Sequence, residues 1–538
     1  MSADVAARYY RLQGFDVLMV SGSDTHGTPI EVEAMKEKIS PKALTDRNHS
    51  KVSELFKKWA ASFDNYTSTE SPVHKEFVQN HLMKIYNNGY IFSQETQMLY
   101  CEHDQRFLPD RFVEGKCPNC GYEKARGDQC DICGKLIEPT TLIEPYCTIC
   151  KNKPVTKSTK HWYIDLSRFT EPLCKFLEEN KQIPINAKNF SLNWIKEGLK
   201  PRAVTRDVEW GIPAPFPGSE GKTIYVWVDA VLGYVSATIE ACQMVGEPEK
   251  WREYWFNKNS RTLYFIGKDN IPFHTIILPA LLLASGEDYN LPWNVSATEF
   301  LQFKGEKASK SRKIGIWIDE AIEMFPVDYW RFFLIATRPE VKDSNFSWEL
   351  FIEKINADLN DTYGNFIHRT LTFINSKFGG QIPAAAELDA DAKRVLAAVN
   401  YKVDEIAAKL EAAELQSAAN LLIGLARIGN QYLNDKEPWK LLKTDPPKAA
   451  AIFYVATQIV KALAIASMPF IPATADQILQ TLGLSDKLLK PAWEEAKKPL
   501  ESGHKINAPQ PLFKKIDVDE SKLDEQLMQI RTRKSSVA

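Results

Sequence analysis

Several things are scarce in this sequence, and each scarcity excludes something. No uninterrupted apolar run approaches the ~20 residues that a membrane span requires, so no membrane partner is expected. The 67 basic and 69 acidic residues nearly cancel, leaving a formal net charge of −2. A global basic field is thereby excluded, and any nucleic-acid partner must be met by local patches. Outside the stretch from Cys101 to Cys150 only two of the nine cysteines remain, Cys174 and Cys242, and both sit in amphipathic helical patterns as small core residues. A disulfide framework would spread its cysteines more evenly. Met1 to Val5 carry neither a basic n-region nor an apolar h-region, so secretion is not expected and a cytoplasmic location is. No internal repeat or low-complexity segment occurs.

What is present is a chain of 538 residues, 44% apolar, 25% charged and 11% aromatic. Those proportions are globular and the length implies roughly three or four domains. Residues 2–13 read as a helix closed by Gly14. The apolar run Val17 to Val20 reads as a buried strand and is followed by a polar turn. Thr28 then caps a helix with Pro29 at its first position. The strand–turn–helix pattern returns at Thr223–Val228 with Asp229, and at Thr262–Gly267 with Lys268 and Asp269 before a helix over 271–284. Strands alternating with helices predict an α/β fold with a parallel sheet, whose ligands bind beyond the carboxyl ends of the strands. Asp24, His26, Asp229, Lys268 and Asp269 all fall there. From about Trp348 onward strand signals vanish. Helical spacing over 384–410, 416–433 and 448–468, the last stopping at Pro469, predicts a helical bundle, and the polar tail after Asp519 reads as one more helix.

The cysteine-rich stretch lies in an insertion between the sheet units. Cys117, Cys120, Cys130 and Cys133 form C-x2-C-x9-C-x2-C, with a glycine after each pair. Two such knuckles supply the closed four-thiolate shell of a structural zinc site, which organises a small lobe and leaves no open position for chemistry. Cys147 and Cys150 make a third knuckle. Near Cys101 a fourth knuckle is incomplete, so a second zinc would take Cys101, Cys147, Cys150 and either His103 or Asp104; a free thiol pair is the alternative.

Lys307-Ala308-Ser309-Lys310-Ser311 places two lysines three apart beside hydroxyls. Alone, it reads as a charged surface loop. In context the pentapeptide resembles the K-M-S-K-S signature of class I aminoacyl-tRNA synthetases, with Ala for Met. Other segments narrow the resemblance: Ser23 to Ile30 (SDTHGTPI), Phe107 to Phe112 (FLPDRF), Tyr225 to Ala230 (YVWVDA), Phe265 to Asp269 (FIGKD) and Glu437-Pro438-Trp439 are similar to methionyl-tRNA synthetases. The similarity runs through essentially the whole chain, and the knuckles resemble the archaeal form with two zincs. The family's H-x-G-H signature is absent; the first histidine is His26. The expectation is a chain truncated before that signature and impaired in activity.

The resemblance implies a Rossmann-type parallel sheet split by a zinc-binding insertion and followed by an all-α anticodon-binding bundle. Its expected divisions are 1–92 and 221–304 for the catalytic sheet, 93–220 for the insertion, 305–348 for the lysine loop and stem-contact region, and 349–538 for the bundle. It implies ATP-dependent ligation of L-methionine to tRNA(Met) through methionyl-adenylate, with Mg accompanying ATP. In the implied roles Lys310, assisted by Lys307, neutralises the departing pyrophosphate. Ser309, Lys268 and Asp269 bind ATP, Asp24 holds the methionine ammonium, and Trp227, Tyr234 and His274 form the thioether pocket. Asn365, Arg369 and Trp439 read the anticodon. A monomer is expected, with help from a separate tRNA-binding protein. Read alone, each of the three pocket residues is more often a core side chain, Tyr234 with its hydroxyl satisfied and His274 as a hydrogen-bonded buried histidine. The competing functional expectation is a tRNA-binding protein without catalysis. A generic zinc-ribbon binder leaves the lysine loop and the bundle unexplained.

Overall fold

The computed structural model describes residues 1–127, 130, 132–133, 137–307, 314–385, 387–484 and 492–537. The chain forms two compact units, one of Val20–Glu54 and Phe63–Ala297, the other of Met1–Met19, Leu55–Ser62 and Thr298–Ala538.

The first unit holds the α/β elements. Strand Val20–Ser23 pairs in parallel with Asn65–Ser68, Val20 opposite Asn65 and Ser23 opposite Ser68. The strand thus starts at Val20, where the sequence pattern had placed its end. The helix after the turn runs Thr28–Glu37 and is capped by Gly27 at φ 96°, with Thr28 already inside it. That φ suits glycine, and a Cβ there would also meet the Val226 side chain at 3.4 Å.

The third repeat of the pattern behaves as predicted, with strand Leu263–Gly267 and a helix to Ala284 that contains a π-helical turn at Phe273–Ile277. The second does not. Only Thr223–Ile224 is strand, and Val226–Met244 is helix. The run Ile224-Tyr225-Val226-Trp227-Val228 has strand composition, but the Val228 and Asp229 amides both donate to the Tyr225 carbonyl. Tertiary packing overrides propensity here, and Asp229 lands in the first helical turn, where a carboxylate complements the helix dipole. A core that includes Val78, Leu82, Trp162, Val231, Leu232, Tyr264, Ile276 and Leu281 packs these helices against strand Leu263–Gly267.

The inserted segment opens as a long antiparallel ribbon, Ile91–Cys101 with Val155–Ile164, in continuous register from Ile91 opposite Ile164 to Tyr100 opposite Val155. Cys101 ends one strand of the ribbon, and the other clustered cysteines follow beyond it around a small separate core of Leu99, Leu108, Phe112, Val113, Ala125 and Leu142.

The second unit is mainly helical. Beyond Phe346 no strand occurs among the described residues. Helices Ala390–Glu411, Leu415–Lys436 and Pro446–Ser467 form the bundle. The last is long and apolar enough to cross a membrane by composition, but 83% of that window is buried inside the protein, as in a core helix. Helix Ser2–Leu12 packs in this unit. Its buried Asp4 carboxylate lies 2.6 Å from the equally buried Arg331 guanidinium, which also donates to the Pro469 and Phe470 carbonyls. The tail forms helix Glu520–Val537.

Candidate active site and metal sites

The turn after strand Val20–Ser23 gathers a charged cluster. The His26 ring is buried, its Nδ1 3.0 Å from Asp229 Oδ2 and its Nε2 2.9 Å from Glu70 Oε1. Lys75 lies 2.7 Å from the same Glu70 oxygen. Ionised carboxylates only accept, so satisfying both contacts requires protons on both ring nitrogens. Burial opposes that charge on His26, yet the hydrogen bonds and charges of Asp229 and Glu70 outweigh it and hold the pKa above the ordinary value. Burial pushes the Asp229 carboxyl upward, and its Oδ1 has no hydrogen-bond partner among the described residues. Asp24 keeps contact with solvent. Surrounding protein and then the Asp229 charge raise its pKa, His26 offsetting part of the rise.

Tyr234 and His274, from the two later helices, meet with the hydroxyl 2.8 Å from Nε2. His274 Nδ1 lies 2.9 Å from the Asn270 carbonyl. A carbonyl can only accept, so Nδ1 carries the proton and Nε2 accepts from the tyrosine. Burial lowers the His274 pKa to about 4 and raises that of Tyr234 to about 12, so both are neutral near pH 7. Tyr264 packs edge-on to Tyr234 with centroids 4.9 Å apart. Trp227 stacks on Phe273 at 4.3 Å, beside His274 in the chain. The structure therefore brings Tyr234 and His274 into contact and sets Trp227 on Phe273, the residue before His274. Asp229, whose charge acts on Asp24, lies two positions after Trp227 in the chain. Lys268 and Asp269 occupy a short turn at the carboxyl end of strand Leu263–Gly267. Of Lys307 only the backbone is described, and Ser309 and Lys310 lie outside the described residues.

Two thiol clusters fit metals. In Cys117, Cys120, Cys130 and Cys133 the sulfurs lie within 4.8 Å of one another, with Cys117–Cys133 at 3.9 Å and Cys120–Cys130 at 3.6 Å. A tetrahedron with zinc–sulfur bonds of ~2.3 Å has edges of ~3.8 Å, so the donor set suits that ion. The knuckle is built by the Asn119 amide donating to Cys117 Sγ and by Gly121 at φ 77°. In the second cluster Cys101, Cys147 and Cys150 are joined by Asp104. The Cys101 and Cys147 thiols lie 3.3 and 3.0 Å from Asp104 Oδ2. His103 instead turns outward and contacts Asp104 Oδ1 at 2.9 Å. Hydrogen bonds from Cys147, Cys150 and His103 hold the Asp104 carboxyl below the usual range, ready as an anionic ligand.

In the bundle, Arg369 lies over the Trp439 ring at 4.2 Å and contacts Asn434 Oδ1 at 3.2 Å. Asn365, one turn earlier on the same helix, is exposed.

With this geometry in place, the comparisons with known proteins decide the family. The profile "tRNA synthetases class I (M)" matches residues 1–371, and the profile "Anticodon binding domain of methionyl tRNA ligase" matches residues 382–531. The chain belongs to the methionyl-tRNA synthetase family.

The methionine–tRNA ligase of Thermofilum pendens is 50% identical over 537 residues, covering 100% of this chain and 94% of that protein. That of Korarchaeum cryptofilum is 51% identical over 533 residues, covering 99% and 94%. The structure of the Mycobacterium tuberculosis methionyl-tRNA synthetase bound by methionyl-adenylate superposes with a TM-score of 0.78 over 95% of each chain at 22% identity, a likeness of fold. As a methionyl-tRNA synthetase the chain is a class I ligase with a Rossmann-like catalytic domain and a helical C-terminal anticodon domain. The full-length match does not favour the reading as a tRNA-binding protein without catalysis.

Three residues of the buried charged cluster carry no role in the sequence reading. His26 and Asp229 stand at strand ends in the pattern, but nothing in it pairs them. Glu70 is a lone acid in a loop. Asn434 is similarly silent, since the helix crossing that places it beside Arg369 is not visible in either segment.

Proposed function

We propose that this chain joins L-methionine to tRNA(Met) in two steps, with its residues in the following roles. A methionine carboxylate oxygen attacks the α-phosphorus of ATP, the bond to the β-phosphate bridging oxygen breaks, and pyrophosphate leaves with Mg. The terminal adenosine 2′-hydroxyl of the tRNA then attacks the methionyl carbonyl and AMP departs, the hydroxyl proton leaving with it. No covalent nucleophile on the protein is needed; the catalytic work is positioning and charge stabilisation.

Asp24 takes the methionine ammonium. Trp227, Tyr234 and His274 take the thioether. The observation carrying this is the 2.8 Å Tyr234–His274 contact, in which the histidine Nε2 accepts and its other nitrogen is occupied. The pair is uncharged and spends its hydrogen bonds on itself, which suits a soft apolar side chain. One methylene is still discriminated by only about 1–3 kcal/mol. Lys268, Asp269 and Ser309 serve ATP, and Lys310 with Lys307 neutralises the pyrophosphate as it leaves. The two cysteine clusters each hold a zinc ion that organises the inserted lobe. Asn365, Arg369 and Trp439 read the anticodon by stacking and base-edge hydrogen bonds. The divisions at residues 92, 220, 304 and 348 separate these tasks. The enzyme acts in the cytoplasm as a monomer, assisted by a separate tRNA-binding protein.

Methionine-dependent ATP–pyrophosphate exchange tests the reading. Exchange that requires methionine is expected, and its absence overturns the proposal.

A further inference from the structure

Two distant segments pin the turn that carries Asp24. The Thr25 amide, in the peptide that joins it to Asp24, donates to Thr69 Oγ1 at 3.0 Å, and the two threonine hydroxyls meet at 2.7 Å. In the next peptide the Thr25 carbonyl accepts the indole N–H of Trp210 at 2.6 Å. Thr25 itself is buried. Trp210 is seated in turn on helix Thr28–Glu37, where its amide donates to Glu31 Oε1 at 2.8 Å. Glu31 is buried, and its other oxygen meets Arg106 of the inserted segment at 3.2 Å. The Trp210 ring also stands edge-on to His26, with centroids 5.8 Å apart.

The segment bearing Trp210 is itself anchored. Three positions earlier, Asp207 accepts from the Thr159 hydroxyl at 3.1 Å, lies 3.0 Å from His161 Nε2 and pairs with Lys222. Arg206 lies over the Tyr225 ring at 3.7 Å. Core packing does not account for the tryptophan. Its ring is half-buried and belongs neither to the core around Leu232 nor to the lobe core around Phe112. An indole N–H spent on a main-chain carbonyl fixes that peptide, whereas a ring without the N–H leaves a buried acceptor unpaired. The pinned peptide is one residue from Asp24, and a charged hydrogen bond weakens steeply when its geometry is lost.

We propose that Trp210, seated by Glu31, is a positioning residue for Asp24, holding the turn so that the carboxylate meets the methionine ammonium. The proposal rests on the role given to Asp24 above. Trp210 acts through Thr25 rather than by touching the ligand. The segment returning from the inserted lobe thereby takes part in how the amino acid is held.

The test measures binding to the full chain by calorimetric titration with two ligands, L-methionine and γ-(methylthio)butyrate. The second keeps the thioether and the carboxylate and lacks the α-ammonium. The variants are Trp210→Phe, Asp24→Asn and the double variant Trp210→Phe/Asp24→Asn. Trp210→Phe is expected to weaken methionine binding about tenfold at pH 8, within the range for a lost charged hydrogen bond. It is expected to leave γ-(methylthio)butyrate binding within about twofold, and to weaken methionine binding no further when Asp24 is already asparagine. An equal loss for both ligands overturns the proposal, as does an undiminished effect in the Asp24→Asn background, or unchanged methionine affinity in Trp210→Phe. If Asp24→Asn alone leaves methionine affinity intact, it is the role of Asp24 that fails. Should Trp210→Phe not fold, β-benzothienylalanine at position 210, a ring of the same shape with sulfur in place of the N–H, supplies the same comparisons.

Discussion

His26 and Asp229 are 203 positions apart in the chain, and their side chains meet at 3.0 Å in a buried setting. The contact joins the first strand–turn–helix unit to the second across the whole inserted lobe. It fixes the turn carrying Asp24 against the helix carrying Trp227. A charged imidazole between two carboxylates is a costly object to bury, and removing one partner of such a group typically costs about 3–5 kcal/mol.

The pH dependence of this contribution follows from its sign. The folded-state pKa of His26 lies above its ordinary value of about 6.5. Its stabilisation is therefore complete below that value and fades as pH rises through the folded-state pKa. The melting temperature of His26→Gln is expected to fall furthest below that of the unaltered chain near pH 6, with the gap narrowing by pH 9. A gap that is constant or widens with pH shows that the ring is held neutral.

Asp24 gives a second pH signature, in binding. Surrounding protein and the nearby Asp229 charge raise its pKa above the ordinary carboxylate value of about 3.9. Pairing with an ammonium requires the ionised form, so methionine affinity is expected to weaken as pH falls through the raised value. His26, Asp229 and Glu70 titrate beside it, so the control is Asp24→Asn. That variant should bind methionine about 10- to 150-fold more weakly at pH 8, the loss of a charged hydrogen bond of about 1.5–3 kcal/mol. Its remaining binding should lose most of the slope. Calorimetric titration at several pH values measures both, and an unchanged slope assigns the titration to another group.

The two thiol clusters make a stoichiometric prediction. Chain prepared with zinc is expected to carry two equivalents by elemental analysis. Cys117→Ser should lower this by one and leave the second site filled, because the clusters share no ligand. Asp104→Ala should remove the other equivalent, whereas His103→Ala should remove none, since that ring points away from the sulfurs. Chelation is also expected to reduce the melting temperature, because metal binding and lobe folding are one process in so small a core. Retention of two equivalents in Asp104→Ala removes the carboxylate from the ligand set.

How much of this was legible from residues alone varied by the kind of signal. The thiolate spacings could be read because knuckle geometry is local, and the bundle helices because their apolar period persists for many turns. Val226 and Trp227 could not be placed correctly. Their β-branched and aromatic run reads as strand, while packing starts a helix there. Asp104 could not be chosen over His103, since the choice depends on where Cys147 and Cys150 return in space. The His26–Asp229–Glu70 cluster was invisible for the same reason. Each member is unremarkable in its own segment, and only strand pairing and helix packing bring them together.

The bundle supports a prediction that separates RNA binding from amino-acid binding. Arg369 lies over the Trp439 ring at 4.2 Å while Trp439 keeps part of its surface open to solvent. An aromatic ring with one face covered by a guanidinium and the rest accessible is a stacking platform for an unpaired base. Base stacking on such a ring contributes about 1–3 kcal/mol, so Trp439→Ala is expected to weaken binding of tRNA(Met) about 5- to 150-fold. Arg369→Ala should do the same through the lost support of the ring. Neither change should alter methionine affinity, since the methionine residues proposed here belong to the other unit. Filter binding of tRNA alongside calorimetry with methionine distinguishes the outcomes. A parallel loss of both affinities would mean that Trp439 acts as a packing residue whose removal unsettles the chain as a whole, and the anticodon role would then have to be given up.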